Sequence, residues 1–140
     1  VMRPRIVSAP DDRPELLSKP VSPAALNRIV RAMCAVIDEG TAKSLKKIRK
    51  TPEGYSLSSD KDVKRIRVAA KTGTAEVEGQ GSHAWFVCFA PDEPSTPVVC
   101  VLVENAGYGA SNAGPVGMEV LTAALNAMDK ERRHELPDDI

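Results

Sequence analysis

The sequence predicts an α+β fold, a three-stranded antiparallel meander packed with one helix on its N-terminal side and another at its C-terminal end. Three observations predict it. Leu26, Ile29, Val30, Met33 and Ile37 recur at helical spacing and make one apolar stripe. Three short runs, 66–76, 84–90 and 98–103, have strand composition and are separated by short linkers. A second helical stripe, Met118, Leu121, Leu125 and Met128, closes the chain.

The elements follow in order. Residues 1–21 hold Pro4, Pro10, Pro14 and Pro20 among polar residues, which favours an extended lead-in segment. A helix over 22–40 starts with Ser22 as N-cap and Pro23 at the first helical position, and Gly40 ends it. Residues 43–64 are polar and basic around Thr51-Pro52-Glu53-Gly54, and read as a surface excursion with some helix or hairpin. The basic run within it, 43–50, reads as a solvated helix face, a contact with another protein being the sharper alternative. The linkers 78–82 and 91–95 carry turn residues, and sequential strands joined this way pair as a meander. A helix over 116–133 is laid on that sheet. An edge is left open, so the sheet reads as part of a larger one.

Composition excludes several classes. The 140 residues carry 19 basic and 19 acidic side chains, which leaves no electrostatic footprint for nucleic acid or an anionic membrane. Their 42% hydrophobic content is enough for one domain with a core. The longest apolar run, 98–103, is far too short to span a membrane, and no secretory signal is read at the start. Cys34, Cys88 and Cys100 match no metal spacing, and neither a metal nor a cofactor is expected. They read as buried apolar thiols; a Cys88–Cys100 bridge is the alternative if the hairpin register centres near Pro94. His83 and His134 read as packing or surface residues, and Trp85 as core.

The residues with chemical content are Lys71-Thr72-Gly73-Thr74. Gly73 lets a ligand approach the strand backbone, Lys71 supplies a cation, and the Thr72 and Thr74 hydroxyls project from one strand face. Such a strand suits an anionic ligand lying along it as an added β-like segment, with backbone amides free to polarise a carbonyl.

The longer run Ala69-Ala70-Lys71-Thr72-Gly73-Thr74-Ala75-Glu76 resembles the Lys-Thr-Gly strand of penicillin-binding proteins. His83-Ala84-Trp85-Phe86-Val87-Cys88-Phe89-Ala90-Pro91 resembles the family's next strand, and Val101-Leu102-Val103-Glu104-Asn105 with 107–115 its last strand and the start of its final helix. Arg3-Pro4-Arg5-Ile6-Val7 and Gly40-Thr41-Ala42 look like further landmarks, so the resemblance covers nearly the whole chain apart from 43–64 and the last few residues. It implies an incomplete part of the transpeptidase fold shared with serine β-lactamases, in a class B enzyme that cross-links peptidoglycan, the elongation type being favoured by the His-Ala-Trp-Phe block. It further implies that Lys71 supports proton transfer and attracts the substrate carboxylate. Thr72, Gly73 and Thr74 would bind a D-Ala-D-Ala stem peptide or a β-lactam, with the Thr74 N–H as an oxyanion-hole donor. The parent would be anchored upstream and face the periplasm, with cell-wall elongation proteins as partners. A non-catalytic β-lactam-sensing domain and a serine β-lactamase are the competing readings.

The family also needs Ser-x-x-Lys, which carries the nucleophile, and Ser-x-Asn. The latter is absent, and Ser-x-x-Lys occurs only at Ser44–Lys47 and Ser58–Lys61, both in hydrophilic sequence close to Lys71. Neither serine is expected to be catalytic. The N-terminal part of the same domain is expected to supply both motifs and the strands beside the Lys71 strand.

Overall fold

The computed structural model describes residues 21–60, 64–94 and 96–135. The lead-in at 1–20, with the landmark at 3–7, lies outside them. Helix α1 (Pro23–Asp38) begins as expected: Ser22 Oγ accepts from the Ala25 N–H at 3.3 Å and Pro23 occupies the first turn. At its end the Glu39 and Gly40 N–H groups both donate to the Ala35 carbonyl, and the Lys47 ammonium reaches the Ile37 carbonyl at 2.6 Å. Cys34 and Ile37 are buried, whereas Leu26 and Ile29 each remain 52% exposed. Only the C-terminal half of the expected stripe is covered among the described residues, by the sheet.

The region 43–64 takes the hairpin, one of its two expected forms. It forms a hairpin, β1 (Lys47–Thr51) and β2 (Gly54–Ser58), turning at Gly54 with φ of 132°. Its basic run is not a helix face: Lys43 and Lys46 lie in the turn before β1, and from Lys47 on the run is strand, with Ile48 alternating with Lys47 and Arg49 at period two. Nor is the segment only a surface excursion. Ile48 is fully buried and Tyr55 6% exposed, both in the main core with Ala42 and Leu45. A single antiparallel bridge sets Arg49 opposite Arg65, and the Ile66 N–H bonds the Ile48 carbonyl at 2.9 Å.

Strands β3 (Ala69–Ala75), β4 (His83–Phe89) and β5 (Val99–Val103) form the antiparallel meander in that order. Phe86, Cys88 and Val99 point to one face, on which α2 (Gly114–Glu135) lays Met118, Leu121 and Leu125. Burying each of these large side chains contributes about 1.5–3 kcal/mol. Gly117 permits the close approach, since a Cβ there would stand 2.5 Å from the Phe86 ring. Trp85 is not core: it is 39% exposed, on the opposite face from Phe86 and across from Leu102.

Register also decides the cysteines. Cys100 pairs with Val87 rather than with Cys88, so the two thiols point to opposite faces. Both are free, Cys88 buried and Cys100 exposed, which corrects the reading of Cys100 as a buried thiol. The sheet has two open edges, since neither β3 nor β5 has a second strand partner among the described residues. No described helix is long and apolar enough to cross a membrane.

Candidate functional site

The free edge of β3 faces a cleft of about 640 Å³. Lys71, Thr72, Gly73 and Thr74 form one wall, the loop 108–110 the other, and Thr41 closes one end. Thr72 and Thr74 stand opposite Phe86 and Ala84, on the α2 face; Lys71 and Gly73, opposite Val87 and Trp85, alternate with them. The two hydroxyls thus share a face, as read from the sequence. They differ in engagement, however. Thr72 Oγ1 is 2.9 Å from Thr41 Oγ1, just past the end of α1, while the exposed Thr74 hydroxyl makes no hydrogen bond among the described residues. The Lys71 ammonium is exposed and folds back to donate to the Thr72 carbonyl.

The opposite wall is set by contacts that sequence reading did not find. Asn105, with φ of 52°, and Gly107, with φ of 71°, reverse the chain after β5. The Asn105 N–H donates to His83 Nδ1 at 2.9 Å, and the Gly107 N–H to the Ser82 carbonyl at 2.8 Å. His83 is therefore an anchor for this loop, and its Nδ1 must be unprotonated to accept that bond. One π-helical turn, Gly109–Ala113, then leads into α2, with Asn112 Nδ2 donating to the Ala106 carbonyl. Gly109 is buried directly over the β3–β4 backbone, where a Cβ would collide with the Trp85 and Gly73 carbonyls. The signal for this packing is the glycine-rich 107–117 stretch, but its target is a long-range contact.

The two serines of the Ser-x-x-Lys matches are elsewhere. Ser44 and Ser58 line a separate cleft of about 380 Å³ together with Lys43, Lys47 and Arg65. Ser58 Oγ accepts from the Asp60 N–H, and the Lys47 ammonium is held by the Ile37 and Lys43 carbonyls, with no hydrogen bond to Ser44. Lys61 lies outside the described residues. No Ser or Cys among the described residues lines the Lys71 cleft. No group of three or more His, Cys, Asp and Glu among the described residues could hold a metal ion.

The penicillin binding protein transpeptidase domain matches residues 1–122, and the chain belongs to that family. Its antiparallel sheet and flanking helices form part of that domain's fold. Among named relatives, peptidoglycan D,D-transpeptidase MrdA of Haemophilus influenzae is 39% identical, over 43% of this chain and 12% of its own length. Peptidoglycan D,D-transpeptidase PbpA of Mycobacterium tuberculosis is 39% identical, and that of Mycolicibacterium smegmatis 38%, each over 43% of this chain and 14% of its own length. The chain thus spans a small part of these relatives. No solved structure matches it.

Proposed function

We propose that this chain supplies the Lys-Thr-Gly wall of a peptidoglycan D,D-transpeptidase site. The observation that carries the reading is the Lys71-Thr72-Gly73-Thr74 edge, open to a cleft, in a chain of the transpeptidase family. The Lys71 ammonium folds back onto the Thr72 carbonyl, and on this reading the Thr74 N–H opens on the edge of β3 away from β4. A D-Ala-D-Ala stem peptide laid along this edge meets Lys71 and the free Thr74 hydroxyl with its carboxylate. The Thr74 N–H then faces the scissile carbonyl as one oxyanion donor; such a donor is worth about 3 kcal/mol in the transition state.

The nucleophile comes from Ser-x-x-Lys in the N-terminal part of the same domain, with Ser-x-Asn beside it; the strands of that part pair at the open β5 edge on this reading, not beside the Lys71 strand, which stays free for substrate. The serine oxygen of Ser-x-x-Lys bonds the carbonyl carbon, the terminal D-Ala leaves with the proton, and an acceptor amine later displaces the serine. A β-lactam follows the first step only. The His83-Ala84-Trp85-Phe86 block favours an elongation-type enzyme, and on this reading the parent is anchored upstream, faces the periplasm and acts with other cell-wall elongation proteins.

The test is a titration of the 140-residue chain with an N-acylated D-Ala-D-Ala peptide, followed by amide NMR. Shifts are expected at 71–74 and are lost in Thr74→Val; shifts confined to other segments overturn the reading. A fluorescent penicillin is expected to leave no heat-stable covalent adduct on the chain, and an adduct would place the nucleophile within it after all.

A further inference from the structure

The small sheet around β1 has one finished side and one unfinished side. The outer edge of β1 is closed by Ile66, whose N–H bonds the Ile48 carbonyl. The outer edge of β2 is closed at Tyr55 alone, by the Asn126 side chain on α2. Tyr55 therefore turns its N–H and C=O away from β1, and antiparallel alternation gives Leu57, two residues on, the same outward direction. The outward bond of Ile48, the partner of Leu57, agrees. No hydrogen bond from another described element reaches the Leu57 backbone.

Beside this edge lies a slot of about 250 Å³, walled by Leu45, Leu57, Pro115 and Met118 and completed by Ser44, Lys46 and Glu119. The surrounding chain is strongly basic. Segment 43–67 holds nine Lys and Arg against three Asp and Glu, a net of +6 in a chain whose total is zero. Lys46 also lines the neighbouring cleft, with Lys43, Lys47 and Arg65 facing Asp38 and Asp60. Arg49 and Arg65 stand directly opposite each other, a like-charge pair that an anionic neighbour relieves.

We propose that the β2 edge docks an extended, acidic segment of a protein partner. The segment adds a strand at Leu57, sets one apolar side chain in the Leu45–Met118 slot, and lays carboxylates over Lys43, Lys46 and Arg65. Main-chain pairing supplies affinity, the slot fixes register, and charge selects the partner. An apolar side chain directly opposite Leu57 projects to the same face as the Leu57 side chain, which is the face of the slot.

The probe is the peptide acetyl-Glu-Asp-Leu-Glu-Asp-amide, titrated into the 140-residue chain and followed by amide NMR. Shifts are expected at Lys46 and Leu57, weakening as salt is raised. N-methylation of the central leucine removes the donor to the Leu57 carbonyl and is expected to weaken binding at least tenfold. The charge-reversed peptide acetyl-Lys-Arg-Leu-Lys-Arg-amide and the variant Lys46→Glu are expected to weaken it to a similar degree. Equal binding of the N-methylated peptide overturns strand addition, and equal binding of the charge-reversed peptide overturns the acidic partner. If acidic phospholipid vesicles move Lys43 and Lys46 while the peptide leaves Leu57 unmoved, the surface faces a membrane and the proposal falls.

Discussion

Asn126 on α2 and Tyr55 on β2 are joined as two strand residues would be. The Tyr55 N–H donates to Asn126 Oδ1 at 2.7 Å, and Asn126 Nδ2 donates to the Tyr55 carbonyl at 2.8 Å. One side-chain amide thus satisfies both main-chain groups that the hairpin leaves pointing outward, and it fixes the hairpin on the closing helix. Asn126→Ala strands both groups in a part-buried place and is expected to cost about 2 kcal/mol. Urea unfolding of the variant measures it, and a loss below a few tenths of that value contradicts the account. Gly54 is bound to the same contact, because its φ of 132° disfavours any side chain and a Cβ there would collide with Asn126 Oδ1.

Gly109 makes a comparable demand on the far side of the molecule. Its α-carbon lies on the Gly73 and Trp85 backbones, so Gly109→Ala must push the 108–110 loop off β3. Overpacking of this kind costs about 1–3 kcal/mol. The more specific expectation is a change at the candidate site, with the Gly73 and Thr74 amides shifting more than those of β1 and β2. A variant that loses stability while leaving those amides in place shows that the loop does not set this wall.

Residues 22–40 and the three meander strands were legible because their signals are local. Ser22-Pro23 is a cap written in two adjacent residues, and the strands end within three residues of the expected limits. The hairpin was legible only as an alternative to a helix, and its buried face was not, because Ile48, Tyr55 and Leu57 are too few among lysines to show period two until α2 covers one side. Trp85 was misplaced for a related reason. Alternation assigns Trp85 and Phe86 to opposite faces, but both are aromatic, and only the position of Gly117 selects Phe86 for the core. At the candidate site, the tetrapeptide stood out in the sequence through the longer run around it. Thr41, His83 and Gly109 were not readable as its supports, because each acts through a contact between segments distant in sequence.

The thiols offer a direct check of strand register. Burial pushes the Cys88 thiol up to about 12, and its Sγ lies 3.6 Å from the Gly117 carbonyl. Cys100 is exposed on the other face. At pH 8 a water-soluble thiol reagent is expected to label Cys100 rapidly in the folded chain, with Cys88 reacting only after unfolding. Peptide mapping by mass spectrometry distinguishes them. Recovery of a Cys88–Cys100 disulfide from mildly oxidised native chain contradicts the register.

Glu93, between β4 and β5, ties that turn to the hairpin and makes folding sensitive to pH. Its Oε2 accepts from the Tyr55 hydroxyl at 2.6 Å and from the Lys50 ammonium at 3.0 Å, and that ammonium lies 4.9 Å from the Tyr55 ring centre. Burial alone would raise the Glu93 carboxyl, but these two hydrogen bonds outweigh it and hold the group below its ordinary value. Tyr55 moves the other way, raised first by burial and then by its bond to Glu93. A carboxyl depressed in the folded state stabilises fully above its unfolded value, about 4.3, and loses that contribution as pH falls through the folded one. A phenol raised in the folded state stabilises fully below about 10 and loses its contribution as pH climbs past that value. Glu93→Gln keeps an acceptor for the Tyr55 hydroxyl but removes the charge, at an expected cost of about 1 kcal/mol near neutral pH. The difference between the parent chain and the variant is expected to shrink toward zero as pH is lowered from 5 to 3, where the parent carboxyl is itself protonated. Urea unfolding across that range reads the difference, and a gap that stays constant with pH removes Glu93 as the titrating group.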